Sequence, residues 1–281
     1  MSYLTEFKKQ RNYNIERAID IAKLVFKSLL MTSEQITEQQ LAELETNTQP
    51  TATEKLENSL KNIYCVSGLG ADDRVFQRLE FEGYRPVHIR WLEPEVGESI
   101  ADYAKRLTAQ IKSDKPILIG LSFGGLIAIE IAKHIEVEKV ILVSSAKNKY
   151  EIPLYFRLFR WFPIHRLIPL KSLLRFVYWL AYWFFSLETV DEQKLLRAIL
   201  SDTDAHFLKW AIHRVVIWNN EDIPKNICHL HGTRDRIFPI SFVNADWQIE
   251  QGGHLMIMNR ASQISALISK VLDRVGTFEG C

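Results

Sequence analysis

From residue 61 onward the chain alternates short runs that are apolar at almost every position with longer stretches whose apolar residues recur every three or four positions. The short runs are 63–67 (IYCVS), 86–90 (PVHIR), 116–121 (PILIGL), 139–144 (KVILVS) and 227–231 (ICHLH), with another near 246–249. The helical stretches between and after them cover 73–79, 99–113, 123–135 and 259–275. A strand that is apolar throughout is covered on both faces, and strands separated by helices are joined in parallel. The pattern predicts an α/β fold, a mostly parallel sheet with helices on both faces. Residues 147–218 contain no strand run and read as a helical insertion between two strands.

The first 60 residues follow a different rule. Ile15, Ala18, Ile19, Ala22, Val25, Phe26, Leu29 and Leu30 share one helical face, with charged residues opposite. A weaker second helix is expected from Thr32, with Gln35 as its capping-box partner. The segment 46–53 (TNTQPTAT) is polar and broken by Pro50, and reads as a linker. The expected organisation is therefore a helical extension over 1–60, a core formed by 61–146 and 219–281, and the insertion 147–218.

Composition narrows the class. With 47% apolar residues and a net charge of +1, the chain is neither a disordered segment nor a basic nucleic-acid binder. The cysteines, Cys65, Cys228 and Cys281, have no C-x-x-C spacing, so no disulfide framework and no zinc site is expected, and a reducing compartment fits. The N-terminus is charged and lacks a signal-peptide h-region, which points to the cytoplasm. The longest apolar run, 176–187, has twelve residues, too few for a transmembrane helix.

The candidate chemistry begins at Gly120-Leu121-Ser122-Phe123-Gly124. A bare G-x-S-x-G arises by chance in roughly one chain of this length in ten. Here it falls between a strand run and a helical stretch, where a sharp turn would lift a serine clear of the sheet. A serine hydroxyl needs a base to become a nucleophile, and that base needs an acid to orient it. His254, in Gly252-Gly253-His254, and Asp235, just past the 227–231 strand, supply both. The chain order is Ser, Asp, His, and all three lie at carboxyl ends of strands or in the loops that follow, where open parallel sheets gather their functional groups. His88, His134, His165, His206, His213 and His229 read as structural, and His231 as a brace for the Asp235 loop.

On these motifs residues 62–275 resemble the α/β-hydrolase superfamily, close to its small bacterial esterase- and lipase-like serine hydrolases. The resemblance implies the α/β-hydrolase fold and an oxyanion hole made by two backbone N–H groups. One would come from the segment after the first strand, here Ser67-Gly68-Leu69-Gly70, and the other from the residue after the nucleophile; these are Leu69 and Phe123. Ser67 departs from the family in standing where histidine is usual, which changes how this loop is braced. The resemblance also implies that no metal and no organic cofactor is needed. Related dehalogenases and epoxide hydrolases use aspartate as nucleophile, and Ser122 argues against both.

The insertion carries what substrate information there is. Residues 150–185 hold 13 aromatic residues, and 147–187 hold seven Lys or Arg against the single acid Glu151. One reading is a lid that lines an apolar pocket and contacts an anionic membrane peripherally; the plainer one packs the aromatics on the sheet. The expected activity is hydrolysis of an ester or thioester with an apolar acyl or alcohol group. Acyl transfer, or ligand binding without turnover in a receptor-like homologue, stays open.

Overall fold

The computed structural model describes residues 60–156, 178–273 and 281. The expected helices and linker of the first 60 residues, and His165, lie outside the described residues.

The core is one six-stranded sheet, all parallel, made of β1 (Lys61–Val66), β2 (Tyr84–Ile89), β3 (Ile117–Leu121), β4 (Lys139–Val143), β5 (Ile227–Gly232) and β6 (Trp247–Ile249). Its order is β2-β1-β3-β4-β5-β6. Pro86 sits in β2, where the missing N–H is tolerated because β2 is an edge strand. β3 is buried at every position, as a central strand covered on both faces must be.

Alternation along the strands sends side chains to two separate cores. Ile63, Cys65, Ile117, Ile119, Ile141 and Cys228 face one layer, which includes the last helix. Tyr64, Val66, Leu118, Val140 and Leu142 face the other. That second layer contains α1 (Ile100–Leu107) and α2 (Phe123–Ile131), and their buried faces supply Tyr103, Leu107, Leu126 and Ile129. α1 is shorter than the periodicity suggested and tightens into a 3-10 turn at Thr108–Gln110. The stretch 73–79 forms only a 3-10 turn, Asp73–Phe76, capped by Asp72.

Within the insertion the described residues form α3 (Tyr178–Phe185), α4 (Val190–Asp202) and α5 (Ala205–Ile217), with no strand among them. α4 starts at a capping box, the Thr189 side chain accepting from the Glu192 N–H while Glu192 reaches back. α5 starts where Asp204 accepts from the Phe207 N–H. Two described helices follow β6: α6 (Met256–Asn259) and α7 (Ala261–Asp273). No described helix is long and apolar enough to cross a membrane.

The cysteine reading needs correction. Cys228 on β5 is disulfide-bonded to Cys281, and only Cys65 is free. Spacing rules detect multi-cysteine frameworks and metal knots; one bridge from a strand to the last residue leaves no such pattern. The bridge removes the cysteine argument for a reducing compartment.

Candidate active site

Ser122 occupies the turn between β3 and α2 with φ 53° and ψ −119°, a conformation that costs a non-glycine residue energy. Its neighbours make the turn possible. A Cβ on Gly120 would lie 2.5 Å from the Gly124 carbonyl oxygen, and one on Gly124 would strike the carbonyl oxygens of Val66 and Ser67. The strained serine is held on both sides: its N–H donates to Val143 O at 3.0 Å, and its carbonyl accepts from Ser145 Oγ at 2.7 Å. The hydroxyl is thereby fixed at the carboxyl end of the sheet.

His254 lies in the loop between β6 and α6, and Asp235 in the loop after β5. His254 Nε2 is 2.8 Å from Ser122 Oγ, and His254 Nδ1 is 2.8 Å from Asp235 Oδ2. His254 is 2% exposed and Asp235 4%. The second carboxylate oxygen, Oδ1, accepts the N–H groups of Ile237 and Phe238 at 2.8 and 2.9 Å. A carboxylate only accepts, so the hydrogen on the imidazole belongs at Nδ1, which leaves the Nε2 lone pair to accept the serine O–H. The arrangement has the polarity needed to draw a proton from Ser122. The edge of Phe185 and the tilted ring of Phe238 pack against the imidazole, 5.6 and 5.9 Å between centroids.

His231 does brace the Asp235 loop, with Nε2 on the Phe238 carbonyl at 2.7 Å and 3.5 Å from Asp235 Oδ2. His229 lies behind it, fully buried, its Nε2 3.2 Å from His231 Nδ1. Burial pushes both pKa values down. The His231 and Lys147 charges depress His229 further, and it ends well below the usual range, whereas Asp235 pulls His231 partly back. His134 is bound to the Ala101 carbonyl at the surface.

Leu69 and Phe123 come together beside Ser122. Phe123 is the first residue of α2, so its N–H has no partner within the helix. Gly68 is close enough to Ser122 that a Cβ on it would lie 3.6 Å from the serine Cβ. Leu69, Ser122, Phe123 and His254 line one cavity of about 210 Å³. Its remaining wall is almost entirely apolar, with Phe156, Phe185, Ile237 and Phe238 near the histidine and Leu196, Ile199, Leu208, Ile212 and Val215 from α4 and α5.

Those α4 and α5 residues were not singled out from sequence, where the aromatic stretch took the weight. Of the described aromatics in that stretch, Phe156 and Phe185 line the cavity, while Trp179 and Trp183 are 70% and 52% exposed. The missed signal was helical spacing, Leu196/Ile199/Leu200 and Leu208/Ile212/Val215. Among the described residues the one cluster spaced for a metal is Cys228, Asp246 and Cys281, and its two sulfurs are committed to the disulfide.

The model of the alpha/beta hydrolase family matches residues 63–267. A search of curated proteins finds no match. Among solved structures, an esterase from Exiguobacterium antarcticum is 19% identical with a TM-score of 0.56, over 75% of this chain and 92% of that one. An enol-lactonase from Burkholderia xenovorans LB400 is 15% identical with a TM-score of 0.59, over 77% and 92%. A hydrolase from Oleispira antarctica is 12% identical with a TM-score of 0.62, over 77% and 92%. At these identities the likeness is one of fold.

Proposed function

The chain belongs to the alpha/beta hydrolase family, and on that premise we propose that it is a serine hydrolase cleaving an ester or thioester with an apolar acyl group. The observation that carries this reading is the unbroken line Ser122 Oγ–His254–Asp235, with both contacts at 2.8 Å.

In this reading Ser122 Oγ attacks the carbonyl carbon while its proton passes to His254 Nε2. Asp235 holds Nδ1–H and stabilises the imidazolium. The N–H groups of Leu69 and Phe123 take the negative charge that develops on the carbonyl oxygen. When the tetrahedral adduct collapses, His254 returns the proton to the departing alcohol or thiol, leaving an acyl-serine. Water, deprotonated by the same histidine, then releases the acid and regenerates Ser122.

The cavity supports an apolar acyl substrate. A cavity of about 210 Å³ suits a small to medium acyl chain. The wall offers such a chain only apolar contact.

A fluorophosphonate probe tests the mechanism, because it labels only an activated serine. Wild-type protein is expected to label and Ser122→Ala not to; equal labelling would sink the assignment. Loss of the nucleophile should also lower kcat by several orders of magnitude. A kcat/KM far below about 10⁴ M⁻¹s⁻¹ on every ester and thioester tried would favour a binding protein.

A further inference from the structure

The loop that brings Leu69 to Ser122 is a closed turn, with the Ala71 N–H on the Gly68 carbonyl at 2.9 Å and Gly70 at φ 69°. Leu69 is the second residue of that turn, so its N–H takes no part in the closing bond. What holds the turn in place is the carbonyl of Ala71. It accepts Ser67 Oγ–H at 2.6 Å and the indole N–H of Trp91 at 2.9 Å. A carbonyl oxygen has two lone pairs, and here each has its donor.

Trp91 lies two residues past the end of β2, and its ring does a second thing. It packs on the Phe123 ring at 5.6 Å between centroids, and on Phe207 at 5.3 Å. The same indole therefore fixes the Leu69 turn through its N–H and touches Phe123 through its face. Trp91 is not part of the cavity wall. Another candidate anchor, Thr203, is weaker: its hydroxyl reaches both Gly70 O at 2.9 Å and Ile199 O at 2.6 Å, so one proton is divided between two acceptors.

We propose that Trp91, together with Ser67, is a positioning residue that sets the spacing of the two oxyanion donors; this rests on the reading of Leu69 and Phe123 given above. Ser67 stands where the family resemblance leads one to expect histidine, and the indole supplies the second donor to the turn. Both donors act through the backbone of Leu69, so their loss raises the energy of the tetrahedral adduct and leaves ground-state binding of the acyl chain unchanged.

The test uses the full chain and a p-nitrophenyl acyl ester. Trp91→Phe keeps a ring against Phe123 and removes the N–H together with part of the indole; Ser67→Ala removes only the O–H. Each is expected to lower kcat about ten-fold with KM within two-fold of wild type, and the double variant about a hundred-fold. Affinity for a trifluoromethyl ketone, which forms a tetrahedral adduct on the serine, should fall by the same factors as kcat/KM. If Trp91→Phe fails to fold, the nearly isosteric Ser67→Ala decides. A folded single variant with wild-type kcat and ketone affinity, or one in which only KM rises, would overturn the proposal. If Ser122→Ala keeps wild-type activity, the underlying mechanism has failed instead.

Discussion

Acid should destabilise this protein through two histidines that take no direct part in the proposed chemistry. His229 is fully buried on β5, flanked by His231, the Ser145 N–H and Lys147, whose ammonium pairs with Asp246 at 2.9 Å. His229 Nδ1 has no hydrogen-bond partner among the described residues, so a proton there gains nothing to offset its desolvation. Burial lowers the pKa of both His229 and His231 below the unfolded value of about 6.5. The unfolded chain therefore binds more protons than the folded one as pH falls through that value, and stability drops until the folded pKa is reached. At pH 5, a histidine that stays neutral in the fold costs about 2 kcal/mol, from 1.5 pH units at about 1.36 kcal/mol each. His229 is expected to contribute more of that than His231, whose charged form Asp235 favours. Glu151 works in the opposite sense, since burial raises its pKa, and His88 in the same sense; both are unaltered in a His229 variant. Urea unfolding at pH 7, 6 and 5 of wild type and His229→Gln isolates the effect. Wild type should lose more stability than the variant between pH 7 and pH 5, by up to about 2 kcal/mol. Parallel pH profiles for the two proteins would refute the reasoning.

Two further outcomes follow from contacts at the site. Gly124→Ala puts a Cβ against the carbonyl oxygens of Val66 and Ser67, and because backbone cannot swing aside as a side chain does, the cost is about 3 kcal/mol or more. Calorimetry should show Tm lower by roughly 6–12 °C, and an unchanged Tm would contradict the packing. On the substrate side, ester hydrolysis should show an optimum at medium acyl-chain length, in keeping with a cavity of about 210 Å³. Leu208→Trp should move that optimum to shorter chains, and a profile it leaves unchanged would remove α5 from the acyl wall.

The turn that carries Ser122 was legible in the sequence because it needs a special backbone. The serine at positive φ requires Gly120 and Gly124 beside it, and those glycines are what made the motif readable. The strands were legible because a parallel strand covered on both faces is apolar throughout, as β3 is. The cavity wall left no such mark. Leu196, Ile199, Leu208 and Ile212 sit at ordinary helical spacing, and whether such a face meets the sheet or a substrate is decided by how α4 and α5 dock. Trp91 was invisible for a related reason: a tryptophan after an edge strand reads as packing, and only the fold brings its N–H to Ala71.

The insertion touches both halves of the proposed site from outside the core. At one end, Ser186 Oγ donates to the Arg234 carbonyl, the Phe185 ring edge meets His254, and Arg236 donates to the Trp183 carbonyl. At the other, Arg74 joins Asp72, the residue after the Leu69 turn, to Asp202 of α4, and the Thr203 hydroxyl reaches the Gly70 carbonyl. The insertion's helices that line the cavity are thus the ones that touch the proposed base and the proposed oxyanion turn. Chain-length preference should for that reason appear in kcat as well as in KM, because an acyl group that fits the α4 and α5 wall also seats the donors that stabilise its transition state.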